Sequence, residues 1–398
     1  MTEPAGWIGV DASPSAAIDR LGADLDASLL AAGATLHGDP RWVASLVDGT
    51  DKEARFYTLR SAQELKGLAA FFVHPSEVRL ALGELALASR PVRRLDAPAA
   101  PLVDAGGDRR LEIAQLTALF AGVREQLAPD EVIFLESVAQ GTALFDLVAG
   151  SRAPVSGFLP LQNGRLYRHR RAAIADSLDG YMKQLVKHTR TDLRSNRKRF
   201  AARASAGGHG TRCFRTPDEV PAFVAAAAAV SRKTWQYRLM GAGLRDEQAL
   251  CRRYVALAQR GWFRSYVLYV GEKPIAFQLG FVYRGRFYSE QMGYDPDWAP
   301  HHVGIFLHTE IIADLAASNG AVRELDFGNG DSLYKKRLST TSEVEGYFYL
   351  IPSHRRGRLL VAGIRTTNAV SAVLGAVLGR FGLRTKVRDL MRRLGVGQ

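Results

Sequence analysis

Residues 264–294, RSYVLYVGEKPIAFQLGFVYRGRFYSEQMGY, constrain the fold more than any other stretch. Three apolar and aromatic runs are separated only by Gly-Glu-Lys-Pro and by Arg-Gly. Connections this short join antiparallel neighbours, because a parallel crossover needs a dozen residues or more. The stretch therefore predicts a three-strand meander, RSYVLYV, IAFQLGFVY and RFYSEQMGY. Two helices are predicted ahead of it. PDEVPAFVAAAAAVSRKTWQYR opens with Pro217, Asp218 and Glu219, and RDEQALCRRYVALAQRG ends at Gly261. A basic helix over 178–205, stopped by Gly207 and Gly208, and a short strand, TRCFRT, precede these. After the meander come the helix GIFLHTEIIADLAASNG, the strand VRELDFG and a last strand, EVEGYFYLIP.

The first half reads as a compact α/β unit. ARFYTLRS (54–61) and LKGLAAFFV (65–73) alternate as strands, and LALGELALAS is strand-like. DAPAAPLVDAGG is a loop. Leu111, Leu116, Leu119, Phe120 and Val123 keep helical spacing over 109–128, and the buried strand VIFLESV follows. Two passages rhyme: LTALFAGVREQLAPDEVIFLES and LHTEIIADLAASNGAVRELDFG are each a helix, a short turn and a strand. Such a rhyme hints at a duplicated unit. The expected class is α/β, with mixed central sheets flanked by helices. The expected parts are an N-terminal domain over 1–160, a C-terminal domain over 161–352, and a basic amphipathic tail over 353–398.

Composition narrows the setting. The chain has 398 residues, 47% hydrophobic and 23% charged, which suits globular domains. Its opening, MTEPAGWIGVDASPS, has neither the basic nor the apolar region of a secretory signal, and no apolar run reaches membrane-spanning length. Two cysteines, Cys213 and Cys251, lie far apart, so no disulfide framework or CxxC metal spacing exists. A cytoplasmic location is the expectation. The net charge of +13 is concentrated in two places. Residues 164–203 hold 12 Lys/Arg against 3 Asp, and 353–398 hold 10 against Asp389 alone. Both segments attract anions.

LDFGNGDSLYKKRLS, residues 325–339, holds the densest chemistry. Asp326, Asn329 and Asp331 miss the EF-hand spacing, and Gly328, Gly330 and Lys335 miss the P-loop spacing. Two readings stay open. One is a tight turn whose glycines allow positive φ, followed by a solvated basic run. The other is a reaction centre at a strand end, where a lysine and a tyrosine meet a ligand. A second feature lies just upstream. The helix after GYDPDWAPHH begins near Val303-Gly304, and its free N–H groups and positive dipole end suit an anion. No GxGxxG fingerprint is present.

The order of elements in the second half resembles that of a GNAT-type acyltransferase. In detail the chain resembles the FemAB-related branch, and within it the CelD/BcsL-like acetyltransferases. HTRTDLRSNRKRF, SRKTWQYRLMGAG, the meander with the Gly-Tyr-Asp-Pro after it, VGIFLHTEII and LDFGNGDSLYKKRLS carry the resemblance over roughly 176–350. It implies tandem GNAT-like domains, the first degenerate and the second catalytic. It implies transfer of an acetyl or other acyl group from acyl-CoA, without a metal, to an amine or hydroxyl of a polysaccharide or cell-wall precursor. Fem-type relatives use aminoacyl-tRNA instead, and a non-catalytic membrane-associated scaffold of the same fold is the third possibility. His301-His302-Val303-Gly304-Ile305-Phe306 keeps only the middle glycine of the common GNAT pyrophosphate loop.

The resemblance places Lys335 near the acyl carbonyl as an oxyanion donor, flanked by Tyr334 and Asp326. It places the donor phosphates near His302, Val303, Gly304 and Ile305. The acceptor must also lose a proton. Glu290, Asp326, Asp331, His301 and His302 are all candidates to take it. Trp235 and Tyr237 line either a core or the acceptor cleft. Gln278, on a strand expected to be buried, either faces the ligand or finds partners in the core. The basic helix, with Arg190 and Arg194, is a solvated face, a site for an anionic saccharide or lipid-linked precursor, or an RNA-binding face for tRNA. The tail packs on the body, or lies on an anionic membrane surface at the inner face of the cell membrane.

Overall fold

The structure is a computed structural model that describes residues 7–10, 25–31, 33–48, 50, 52–61, 64–82, 85–150, 153–204, 207–234, 237 and 243–380. The chain forms two compact units, Met1–Arg165 with Gly346–Gln398, and Leu166–Glu345.

In the first unit the chain runs through β1 (Trp7–Val10), α1 (Leu25–Ala31), α2 (Pro40–Val47), β2 (Glu53–Ser61), β3 (Glu64–Leu82), β4 (Leu85–Ala97), β5 (Leu102–Val103), α3 (Arg109–Gln126), β6 (Glu131–Ala139), α4 (Ala143–Val148) and β7 (Phe158–Ala173). β7 runs on into the second unit, with α5 (Leu178–Gln184), α6 (Lys187–Ala204), β8 (His209–Phe214), α7 (Val220–Ser231), α8 (Glu247–Gln259), β9 (Ser265–Val270), β10 (Lys273–Tyr283), β11 (Arg286–Tyr294), α9 (Val303–Ala316), β12 (Glu324–Asp326) and α10 (Leu333–Leu338). β13 (Thr341–Pro352) leads back to the first unit, which α11 (Arg355–Arg380) completes.

The first unit orders its strands β1-β2-β3-β4-β6-β13. Alternation along the strands feeds a core on each face. Ile133, Leu135, Phe348 and Leu350 meet Leu116, Leu119, Phe120 and Val123 of α3. Val132, Phe134, Tyr349 and Ile351 meet Leu360, Val361 and Ile364 of α11. The start of the expected tail is thus part of this core.

The second unit orders its strands β7-β12-β11-β10-β9-β8. The meander is present as expected, with antiparallel β9, β10 and β11. On one face, Phe306, Leu307, Ile311 and Ile312 of α9 join Tyr181, Leu193 and Phe200 of α5 and α6. Rings of Phe214, Phe223, Phe263, Tyr254 and Phe281 make a second cluster with α7 and α8. Each buried Phe contributes about 1.5–3 kcal/mol.

The rhyming passages have the same structural role. α3 crosses from β4 to a parallel β6, and α9 crosses from β11 to a parallel β12. The two crossovers differ at one point. β4 pairs with β6 from Arg93 to Ala97, its last residue. β11 pairs with β12 at only three positions, Arg286–Glu324, Phe287–Leu325 and Tyr288–Asp326, although its pairing with β10 continues to Tyr294. Among the described residues no ladder pair joins β11 to β12 beyond Tyr288.

Several elements differ from expectation. The basic helix is two helices, because the chain turns at Leu185. Arg190 donates to the carbonyls of Lys183 and Leu185, both at 3.3 Å, and caps the end of α5. The helix expected to run to Arg238 stops at Ser231. The basic run after Asp331 is helical, not loop. β7 was expected only as a basic stretch, yet it forms a strand of 16 residues.

Candidate active site

The site is built where β11 and β12 part. β12 ends at Asp326, paired with Arg171 of β7 on one side and with Tyr288 on the other. Tyr167, His169 and Arg171 are alternate residues of β7 and present side chains to the same face. Their targets are Asp326 and two alternate residues of β13, Glu343 and Glu345.

His169 lies between two buried carboxylates. Its Nε2 donates to Asp326 Oδ1 at 2.7 Å and its Nδ1 to Glu345 Oε2 at 3.0 Å. Donation from both nitrogens requires the imidazolium. Burial alone lowers its pKa, but the hydrogen bonds to Asp326 and Glu345 push it up to about 9. Burial works against both carboxylates as well, and His169 and Arg171 hold each below its ordinary range. Asp326 also accepts from Arg171 Nε at 3.2 Å and from the Gly328 N–H at 2.8 Å. Glu345 accepts from the Tyr167 hydroxyl at 3.0 Å, and Arg171 pairs with Glu343. Asp326 is thus a saturated strut at neutral pH, not a free base.

This strut fixes the Gly-Asn-Gly-Asp loop. Gly328 and Gly330 have φ of +71° and +83°, left-handed values that favour glycine. Arg170, on the other face of β7, grips Asp331 at 2.6 Å and holds its carboxyl below the usual range. Lys335 closes the loop. Its ammonium donates to Gly328 O at 3.0 Å and Asn329 O at 2.6 Å, and the residue is 8% exposed. Burial lowers its pKa, opposed in part by Asp326 and Asp331. Two of its three protons are engaged. A Cβ on Gly328 would lie 3.2 Å from Ser289 O, at the point where the strands separate. Gly328→Ala is expected to cost about 1–3 kcal/mol from left-handed strain and crowding, read by urea denaturation.

Beneath the loop is His308 of α9. Its ring stacks on Tyr334 at 5.2 Å and meets Phe327 edge-on at 5.8 Å. Burial and the Lys335 ammonium push its pKa down to about 3, so it is neutral. Among the described residues neither ring nitrogen has a hydrogen-bond partner. Burial pushes Tyr334 up to about 12.

The start of α9 lies on the same helix. The first intrahelical bond joins Phe306 N–H to His302 O, and the His302 side chain makes no capping hydrogen bond to the amides that follow it. Those amides belong to Val303, Gly304 and Ile305. His302 itself is left-handed, with φ +54°. A Cβ on Gly304 would lie 3.3 Å from Met292 Sδ, so the helix start abuts the far end of β11.

The other expected residues are more scattered. Glu290 is exposed and is the extra residue of a bulge between the Gly280–Ser289 and Leu279–Gln291 pairs. Its charge acts on Arg253 and Tyr254 of α8. Gln278 is fully buried and donates to Leu279 O at 2.7 Å and Gln291 O at 3.1 Å, next to that bulge. Its Oε1 has no partner among the described residues. Tyr237 packs under Arg245, 4.4 Å from ring to guanidinium. Trp235 lies outside the described residues. Arg194 is exposed on α6.

The structure thus brings Asp326, Tyr334 and Lys335 together with three residues that sequence reasoning missed, His169, Glu345 and His308. The signal for His169 was the alternation in Tyr-Arg-His-Arg-Arg, whose odd positions share a strand face. His308 had no local signal, because it occupies an ordinary core position of its helix.

A family model described as Acetyltransferase (GNAT) domain matches residues 187–336. No curated protein matches the chain. Among solved structures, FemX is similar over 89% of this chain and 100% of its own, at 12% identity and a TM-score of 0.57. The C-terminal domain (DUF2156) of a putative lysylphosphatidylglycerol synthetase from Agrobacterium fabrum is similar over 89% and 95%, at 13% identity and a TM-score of 0.47. A tandem GNAT protein from the clavulanic acid biosynthesis pathway is similar over 86% and 98%, at 14% identity and a TM-score of 0.46. With its mixed sheets, its repeated helical crossover and a GNAT domain match over 187–336, the chain has a GNAT-type acyltransferase fold.

Proposed function

We propose that the second unit moves an acyl group from an acyl-CoA, acetyl-CoA in the simplest case, to an amine or hydroxyl of a polysaccharide or cell-wall precursor. One observation carries the reading: the β11–β12 ladder ends at Tyr288, and farther along β11 the start of α9 lies against Met292. An open strand edge offers backbone groups to an extended ligand, and a helix start offers N–H groups to its phosphates. The CelD/BcsL-like resemblance supports the acceptor class.

The chemistry follows from charge. Attack on a thioester develops negative charge on the carbonyl oxygen, and each fixed donor aimed at that oxygen contributes ~2.7–4 kcal/mol. Lys335, anchored through two protons, has a third for this role. Tyr334, protonated at every physiological pH, is a second donor. His169 and Asp326 hold the loop and take no proton from the acceptor. Glu290 at the bulge is the remaining carboxylate suited to receive that proton. Proximity of the two substrates supplies part of the rate. Gln278 supports the bulge rather than touching substrate.

The test uses the full chain. Coenzyme A at a hundredfold excess over its dissociation constant contributes about 2.7 kcal/mol, an upward shift of roughly 5–10 °C in Tm. Gly304→Asp puts a negative charge in the first turn. The charge favours the helix start while the new Cβ crowds Met292 Sδ, so the free protein is expected to stay folded with a similar Tm and to lose the coenzyme A shift. A shift that persists in Gly304→Asp contradicts this placement. A second reading is an aminoacyl-tRNA donor, favoured by Lys187, Arg194, Lys198 and Arg199, all exposed on α6. Salt-sensitive protection by charged tRNA, with none by coenzyme A, selects it.

A further inference from the structure

Among its described residues, α11 buries one apolar row and exposes another. Leu360, Val361 and Ile364 are buried against β3, β4, β6 and β13. Leu359, Val370 and Val373 are 66%, 44% and 63% exposed. At about 100° per residue these three fall within about 60° of one another, away from the buried trio. Arg355, Arg356 and Arg358 are exposed at the start of the helix. Arg365 is tied to the body through Pro160 O at 3.2 Å. The helix sequence has five arginines and no acidic residue.

We propose that this outward face of α11 is a docking surface for an anionic lipid bilayer, lying along the interface rather than crossing it. The combination of an outward apolar row and cationic flanks decides the occupant. Among the described residues no helix is long and apolar enough to cross a membrane. A second copy packed on the same face would bring two acid-free arginine helices together. The segment after Arg380 does not neutralise the face either. Residues 381–398 add Arg384, Lys386, Arg388, Arg392 and Arg393 against Asp389 alone. A surface of anionic head groups matches that excess.

The proposal is independent of the acyl-transfer reading, and its test separates the two. The full chain is floated with vesicles of phosphatidylcholine alone and of phosphatidylcholine with phosphatidylglycerol. Binding to the anionic vesicles is expected to be at least tenfold stronger. The Val370→Asp/Val373→Asp variant is expected to lose at least tenfold of that binding with unchanged Tm. Arg355→Glu/Arg356→Glu is expected to lose the preference for anionic lipid. Neither variant touches the second unit, so any coenzyme A shift stays as in the parent protein. Absence of binding to anionic vesicles, or equal binding by the valine variant, overturns the proposal. So does a concentration-dependent dimer, dissociated by the valine variant, in a chain that floats with neither vesicle; that result assigns the face to a second copy.

Discussion

Replacing His169 with alanine is expected to cost about 3–5 kcal/mol, the largest single effect in the second unit. The substitution removes the cation between two buried carboxylates and leaves Arg171 as the charged side chain facing both. Breaking a buried pair costs this much because the surviving charge stays in a poorly solvating interior. Urea denaturation of the full chain measures it. The pH dependence is a second signature. His169 has a folded pKa of about 9 against an ordinary 6.5, so its contribution is complete below pH 6.5 and disappears as pH rises through 9. The difference corresponds to about 3 kcal/mol. Asp326 and Glu345 have lowered pKa values, so their contribution is present above pH 4.5 and disappears as pH falls. The parent protein is therefore expected to lose stability between pH 6.5 and 9, and His169→Ala to be nearly flat there. A cost below about 1 kcal/mol, or a parent stability that rises over that range, contradicts the imidazolium.

Lys335→Met is expected to lower acyl transfer by about 10²-fold or more. Methionine keeps most of the stem, so the packing loss is small. The carbonyls of Gly328 and Asn329 lose their donor, which costs about 1–3 kcal/mol. Donor binding through the start of α9 is expected to change little, so the loss falls on kcat. Lys335→Arg is not a rescue, because a planar fork does not reproduce a point charge directed at two adjacent carbonyls. A folded Lys335→Met protein with undiminished transfer removes Lys335 from the chemistry and leaves it as the clasp of the loop.

The two readings of the Gly-Asn-Gly-Asp-Ser-Leu-Tyr-Lys-Lys-Arg run each describe part of it. The glycines do adopt left-handed backbone, and Lys336 and Arg337 are exposed. Lys335 is not solvated with them, because α10 turns it inward. Nothing local in Tyr-Lys-Lys-Arg distinguishes the buried lysine from its neighbour. The helix that separates them is only six residues long. Arg190 was similarly opaque. Its position on a basic helix suggested an anion, but the break at Leu185 gives its guanidinium two backbone carbonyls instead.

What the sequence determined by itself was local and periodic. Short turns made the meander antiparallel, helical spacing produced α3 and α9, and two matching helix–turn–strand passages marked two parallel crossovers. What the tertiary structure alone decided was pairing over distance. His169 meets Asp326 across 157 residues and Glu345 across 176. Whether two parallel strands stay together, as β4 and β6 do, or part after three pairs, as β11 and β12 do, was also decided there. The physical reason is that turns and amphipathic stripes arise from interactions within a few residues. Ion pairing and strand separation depend on register, and register is set only when every strand of the sheet is in place.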